Sequence, residues 1–311
     1  MEVVTKPAEL RKKRSPIFMA AGFFDGVHKG HLKVIHSTVE AAAVNDGRSW
    51  ILTFANHPLS ILKPEKAPSL LTTVEQRVKL LRALGVDGSI VMPFTKRLAQ
   101  RKPELFIKSL LADVPALRHI YVGRNWRFGS KGRGTPDMLR TICADAGVKV
   151  SVIDSVKKTG NVVSSTAIRA AVSKADLDAA ARMLGRDYSF TGKVVRGRTV
   201  GRKLGYPTAN IETGNDLLFP MGVYAVEAVV GERGRIRRKG VLNYGIRPTF
   251  AHSKAGKPVL ELHLFDFSEE LYGEKMEVFM RNRIRGEKKF HAPAVLVRQI
   301  EKDIEKALKI L

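Results

Sequence analysis

Apolar residues in the first 185 positions fall into short runs at 17–24, 50–54, 88–92, 119–122 and 148–153. Between the runs, at 31–44, 74–83, 103–111 and 136–146, apolar residues recur every three or four positions. The runs predict buried strands and the periodic stretches predict amphipathic helices. Thr73, followed by Glu75 and Gln76, reads as a helix N-cap. Such β-α alternation predicts a parallel, doubly wound sheet, in which ligands collect at the carboxyl ends of the strands. Two segments follow directly on predicted strands and so belong to that edge: residues 22–31 and residues 53–58.

The pattern changes near residue 185. A helix is predicted over 174–184, apolar at Leu177, Ala180, Ala181 and Leu184, with Gly185 as its C-cap. Beyond it come closely spaced strand-like segments at 190–195, 223–230, 240–244, 259–265 and 275–284, punctuated by Gly, Pro and Asn. They predict a small antiparallel barrel, closed off by an amphipathic helix over 294–311. The expected division is a domain of residues 1–185 and a second of residues 186–311. No internal repeat or low-complexity tract interrupts it.

Composition narrows the class. Hydrophobic residues make up 44% of the 311, enough for well-buried cores. No apolar run approaches the length of a membrane span, and the apolar stretch after Arg11, Lys12, Lys13 and Arg14 reads as a strand and not as a leader. Cys143 is the only cysteine, which excludes an internal disulfide and a cysteine-built metal site and fits a reducing cytoplasm. The net charge is +24, with 30 Lys and Arg against 15 Asp and Glu in residues 1–185 and 24 against 15 in the remainder. A basic excess spread this evenly attracts phosphates or nucleic acid without specifying either. The plainer reading of it is a solvated basic surface.

The chemistry sits in two glycine-rich basic segments. The first is Gly22-Phe23-Phe24-Asp25-Gly26-Val27-His28-Lys29-Gly30-His31. His28 and His31 share one face at a predicted helix start. Gly26 and Gly30 allow the backbone to approach phosphates, and the helix N-terminus offers N–H groups to an anion. Two imidazoles there can donate to an α-phosphate as it gains charge in the transition state. No residue of the motif reads as a nucleophile, which favours direct in-line attack by a second substrate. Ser164, Ser165, Thr166 and Arg169 form either a clamp for β- and γ-phosphates or an ordinary helix cap. His57, in the segment after the second long strand, is alone and so is more often structural than catalytic. A fourth element is Gly123-Arg124-Asn125-Trp126-Arg127-Phe128-Gly129.

The second segment places Gly197, Gly201 and Gly205 at four-residue intervals around Arg198, Arg202 and Lys203. It reads as a phosphate loop or as a flexible basic turn, and it lacks the ending of a Walker loop. Pro207-Thr208-Ala209-Asn210 follows. On a strand, the Thr208 hydroxyl and the Asn210 amide face the same way, and oxygen ligands suit Mg²⁺ carried on substrate phosphates. Glu261 lies in an alternating strand, where it is either a general base or a solvent-facing carboxylate. Together the two segments predict two ATP-dependent reactions in series.

These motifs, in this order, resemble those of the bacterial bifunctional riboflavin kinase/FAD synthetase family. The four N-terminal elements resemble its FAD synthetase (FMN adenylyltransferase) module, one of the wider HxGH nucleotidyltransferases. The segments from Pro207 to Asn210, 220–224, 243–249, 261–267, 271–273 and 284–290 resemble its riboflavin kinase module. The likeness spans nearly the whole chain. It implies that the kinase module phosphorylates riboflavin to FMN, and that the other module joins FMN to the AMP part of a second ATP, giving FAD and pyrophosphate. It implies catalytic roles for His28, His31 and Glu261. It implies nucleotide contacts from Gly22, Phe24, Asp25, Gly26, Gly30, Asn125, Ser164, Ser165, Thr166, Arg169, Gly197, Gly201, Arg202, Gly205 and Pro207. Flavin contacts are implied for His57, Arg127, Phe128, Asn243 and Arg285, and Mg²⁺ contacts for Thr208 and Asn210. Phe23 stands where the family commonly has Asn, and Trp126 where it commonly has Phe. The expected partners are small molecules (ATP, riboflavin and FMN), with no membrane and no specific nucleic acid, and self-association is left open. Two rival readings are a chain with one live module and a basic nucleic-acid-binding protein.

Overall fold

The computed structural model describes residues 1–154, 157–158, 161–197, 204–231, 236–246, 258–267 and 269–311. The chain divides into two compact units, Met1–Ser165 and Thr166–Leu311.

The first unit is built on β1 (Glu2–Val4), β2 (Ile17–Ala21), β3 (Arg48–Phe54), β4 (Gly88–Met92), β5 (Leu117–Gly123) and β6 (Lys149–Ile153). All neighbours in this sheet run parallel, in the order β1-β4-β3-β2-β5-β6. From β2 the chain first builds outward through β3 and β4, then returns to add β5 and β6 on the other side. The order therefore reverses between β2 and β5, where open sheets of this kind hold their ligands. Helices α1 (Lys29–Val44), α2 (Pro58–Leu62), α3 (Val74–Ala83), α4 (Lys96–Ala99), α5 (Pro103–Asp113) and α6 (Pro136–Ala144) connect the strands. Every residue of β2 is buried. Ile17, Met19 and Ala21 enter the core cluster that includes α5 and α6, and Phe18 and Ala20 enter the one beneath α1. A central parallel strand covered on both faces is a continuous apolar run for this reason. Full burial contributes about 1.5–3 kcal/mol for a side chain such as Ile17.

Beyond β6 lie a two-residue pair, β7 (Lys157–Lys158) with β8 (Asn161–Val162), and two helices, α7 (Ser165–Ser173) and α8 (Leu177–Leu184). The helix expected over 174–184 begins only at Leu177. Ala175 adopts a left-handed φ of 58°, and the Asp176 side chain caps α8 by accepting from Ala179 N. Gly185 ends α8 at φ 81° as expected. α8 packs on β14 (Lys275–Arg285) of the second unit, whereas the change of sequence pattern falls after α8.

The second unit is a closed barrel of β9 (Ser189–Val195), β10 (Ala209–Thr213), β11 (Gly222–Val230), β12 (Arg238–Ile246), β13 (Pro258–Leu264) and β14, all antiparallel, in the order β10-β13-β12-β11-β14-β9. Strand β13 alternates as its sequence does, with Leu260, Leu262 and Leu264 buried inside. The terminal helix α9 (Pro293–Ile310) covers the outside of β11, β12 and β14. The seam between β9 and β10 is tight. A Cβ at Gly192 would lie 2.3 Å from Ile211 Cγ2 and 2.7 Å from Glu212 O.

Cys143 is fully buried in the first unit, and burial pushes its thiol up to about 11. At pH 8, labelling of this one thiol therefore reports opening of the first unit. Gly192→Ala is expected to lower barrel stability by about 1–3 kcal/mol through overpacking. Urea unfolding followed by circular dichroism should show the loss, while the rate of Cys143 labelling stays unchanged.

Candidate functional sites

The loop leaving β2 is backbone under strain. Phe24 (φ 53°), Gly26 (φ 79°) and Val27 (φ 40°) all occupy the left-handed region. That conformation is easy for glycine and costly for a β-branched residue such as Val27. This is why β2 stops at Ala21 and not at residue 24. The loop persists because it is tied on several sides. Asp25, 1% exposed, accepts from Leu71 N at 3.0 and 3.1 Å, from Thr72 N at 3.1 Å and from Thr72 Oγ1 at 3.2 Å. Gly26 N donates to Thr72 Oγ1, and Ser165 Oγ donates to Asp25 O. Phe23 O accepts from Thr53 Oγ1 at 2.8 Å and from Arg77 Nη1 at 3.0 Å. Asp25 and the hydroxyl of Ser165 thus hold the loop from within, a task their place in the motif does not reveal.

The strained loop delivers His28 to the N-cap of α1. Its Nδ1 accepts from His31 N at 3.3 Å. The two imidazoles stack, with ring centroids 3.5 Å apart and planes 17° from parallel. Gly30 is the position that a Cβ would crowd, 3.1 Å from His28 Cε1. A stacked pair at a helix N-terminus, beside the point where strand order reverses, is suited to an anion.

Beside it lies an apolar cavity of about 150 Å³, walled by Gly22, Phe54, Pro58, Phe94, Trp126 and Phe128 among others, with Arg127 at its edge. Trp126 stacks on Phe128, centroids 4.6 Å apart. Asn125 is exposed in the turn after β5. His57 caps α2 by accepting from Leu59 N and meets the Phe23 ring edge-on at 4.9 Å. Phe24 faces the His31 ring in the same manner. Ser164 precedes α7. Thr166 and Arg169 continue along that helix and belong by contact to the second unit.

In the barrel, lateral pairing sets Asn210 opposite Glu261, Glu261 opposite Asn243, Asn243 opposite Val223, and Val223 opposite Arg285. Directly opposed residues share a face. Their strand neighbours Ile211, Leu260 and Leu242 are buried inside, so this row runs along the barrel's outer wall. Four residues chosen from the sequence therefore form one belt. Asn210 packs on Gly197, where a Cβ would lie under 2 Å from its Nδ2. Close packing thus accounts for glycine at 197. Thr208 stands just before β10, and Gly205 turns at φ 87°. Gly201 and Arg202 lie outside the described residues, as do Arg198, Lys203 and residues 247–249.

Arg285 is held firmly. Its Nε donates to Asp303 Oδ1 at 3.1 Å and Oδ2 at 2.9 Å, and Nη2 meets Oδ2 at 2.8 Å. Gln299 Nε2 donates to the same carboxylate. These contacts fix α9 to β14. Two neighbours went unnoticed in the sequence. His263 Nδ1 lies 2.8 Å from Pro207 O, and its place two residues after Glu261 in an alternating strand was the available signal. Glu287 Oε1 accepts from Ile246 N at 2.8 Å, and Gly245 leaves room for it.

Among the described residues no three His, Cys, Asp or Glu side chains cluster to hold a metal, and no helix is long and apolar enough to cross a membrane. A doubly wound sheet with paired histidines on its switch-point helix, followed by a closed barrel with a polar belt, defines a two-unit nucleotide-dependent transferase. The FAD synthetase family model matches residues 10–167 and the riboflavin kinase model residues 184–311. Over 98% of its length the chain is 34% identical to the bifunctional riboflavin kinase/FMN adenylyltransferase of Buchnera aphidicola subsp. Schizaphis graminum, covering 97% of that protein. It is 33% identical to that of Bacillus subtilis, with 98% and 96% of the two chains covered. A solved chain from Streptococcus pneumoniae, described as a macrolide-efflux protein, superposes with a TM-score of 0.83 at 25% identity, covering 98% of this chain and 97% of that one. The chain belongs to the bifunctional riboflavin kinase/FMN adenylyltransferase family.

Asp25→Ala is expected to strand the N–H groups of Leu71 and Thr72, at a cost of about 1–3 kcal/mol each. Asp25→Asn, which keeps an acceptor oxygen, should lose less. Both tryptophans, Trp50 and Trp126, lie in the first unit, so the fluorescence midpoint in urea reads the difference.

Proposed function

We propose that the chain makes FAD from riboflavin in two steps, each in its own unit. What carries the reading is the match of both family models over a chain whose two units have the corresponding folds. In the barrel, the riboflavin 5′-hydroxyl attacks the γ-phosphorus of ATP, its proton passes to Glu261, and ADP leaves, giving FMN. In the first unit, an FMN phosphate oxygen attacks the α-phosphorus of a second ATP, and pyrophosphate leaves with the formation of FAD. Neither step needs a covalent enzyme intermediate. Positioning and charge neutralisation supply most of the acceleration.

His28 and His31 are assigned to the nucleotide phosphates of the second step. When His28 Nδ1 accepts from His31 N, a neutral ring carries its proton on Nε2, which is then the donor. Asn125 and Ser164 are kept as nucleotide contacts, Gly22, Phe24, Gly26 and Gly30 as the shaped backbone, and Asp25 and Ser165 as its braces. The apolar cavity, with Trp126, Arg127 and Phe128 and with His57 nearby, suits the flavin ring.

Asn243 and Glu261 are assigned to the flavin side of the kinase belt, and Gly197, Gly205 and Pro207 to the shape of its nucleotide side. A divalent cation fits Thr208 and Asn210, two neutral oxygen donors unable to hold it alone but suited to one arriving on ATP. We take it to be Mg²⁺, which when bound neutralises charge on the phosphates. Both reactions are placed in the cytoplasm, where ATP is made and a single cysteine meets no oxidant.

Incubation with riboflavin, ATP and Mg²⁺, followed by flavin chromatography over time, should yield FMN first and FAD later. Glu261→Gln is expected to cut FMN formation by about 10²–10⁴-fold while leaving conversion of supplied FMN intact. His28→Ala or His31→Ala should do the reverse, by about 10²–10³-fold. Equal loss of both steps in a folded variant would overturn these assignments.

A further inference from the structure

Arg77 is the largest side chain buried to less than 2% exposure, and no motif called attention to it. It sits on α3, one position past the capping box of Thr73 and Gln76. Among the described residues it forms no ion pair. Nη1 alone makes its hydrogen bonds, donating to Phe23 O at 3.0 Å, Thr53 Oγ1 at 2.9 Å and Phe54 O at 2.8 Å. Nε and Nη2 are buried without a partner. The guanidinium carbon lies 4.6 Å from the centre of the Phe23 ring, and that ring meets His57. Burial pushes the guanidinium below its ordinary range and Asp25 opposes the shift. A buried cation this poorly paired is costly, and its replacement by an apolar residue would suit a core that needed only packing.

The three acceptors explain what the cost obtains. Phe23 O belongs to the strained loop that carries His28 and His31. Thr53 and Phe54 end β3 and lead into the segment carrying His57. Those are the two strand ends on which the first unit's chemistry hangs. We propose that Arg77 is a positioning residue for FMN adenylylation: one nitrogen pins both strand ends, and its face on Phe23 fixes the ring against His57. The proposal rests on the assignment of that reaction to the first unit.

A positioning role and a packing role differ in what a substitution does. Arg77→Met keeps the volume and removes the donor and the charge. It is expected to lower kcat for adenylylation of supplied FMN by about 10–100-fold, the scale of a small misplacement at the reacting groups. KM for ATP and FMN should change far less. Arg77→Lys keeps a cation with three donors for the three acceptors, and the fork it lacks is unused here. It should recover a substantial part of kcat. Riboflavin phosphorylation by the same chain is the internal control, and Cys143 labelling verifies that the first unit is closed. Independently of activity, the ring resonances of His28, His31 and His57 in an NMR spectrum should move in Arg77→Met and return in Arg77→Lys. A wild-type chain that makes FMN but no FAD would remove the reading on which the proposal rests. In a competent wild type, an Arg77→Met chain with closed Cys143, unchanged kcat and unmoved histidine resonances would overturn the proposal itself. Methionine and lysine variants equally impaired would overturn the part assigned to the single cation.

Discussion

Three left-handed residues in four, Phe24, Gly26 and Val27, are the constraint on which the first unit is organised. Such a loop does not hold itself, since each strained residue costs on the order of 1–3 kcal/mol. The surrounding structure supplies the restraint through a carboxylate below the loop, a hydroxyl beside it and a cation behind it. In return, the chain turns sharply enough off β2 for His28 to cap α1 with its ring stacked on His31. A relaxed connection would continue the strand and carry the histidines away from the switch point. The site and the strain are therefore one feature seen from two sides.

The barrel solves the same problem by register. Its belt of Asn210, Glu261, Asn243 and Arg285 comes from four strands far apart in sequence, and nothing but lateral pairing aligns them. Small residues make the alignment possible where side chains press on backbone. Gly197 beneath Asn210 and Gly245 beneath Glu287 are both explained by the atom that occupies the space of their missing Cβ. The covering helix α9 is fixed by the Arg285–Asp303 pair. Asp303 is almost completely buried, so the pair is held in place and not merely resting on the surface.

Much of this was legible in the chain. The apolar runs predicted β2 to β6, most plainly the interior strand β2, which is buried on both faces, and the helical periods predicted α1, α3, α5 and α6. The alternation in β13 predicted its inward leucines. The missed elements lack such patterns: β1 is three residues long, α2 and α4 are single turns, and β10 follows a proline-bearing loop that hides its period. Residue type marked His28, His31, Asn210 and Glu261 in the chain, and the structure sets His28 against His31 and Asn210 opposite Glu261. The pairing of Arg285 with Asp303 carried no such signal, because Asp303 lies 18 positions away on another element. Arg77 was invisible because its acceptors are main-chain carbonyls and a threonine hydroxyl, which carry no charge pattern to match.

The closed barrel also limits how its sequence can drift over evolutionary time. A single inserted or deleted residue within a strand would turn each later side chain of that strand from the outer wall to the interior. Because the sheet closes on itself, the mismatch must be taken up by a bulge, as it is at the two places where β11 and β14 slip register. Length changes in this unit are therefore confined to the connections between strands and to such bulges. The belt can change its chemistry only by substitution in place.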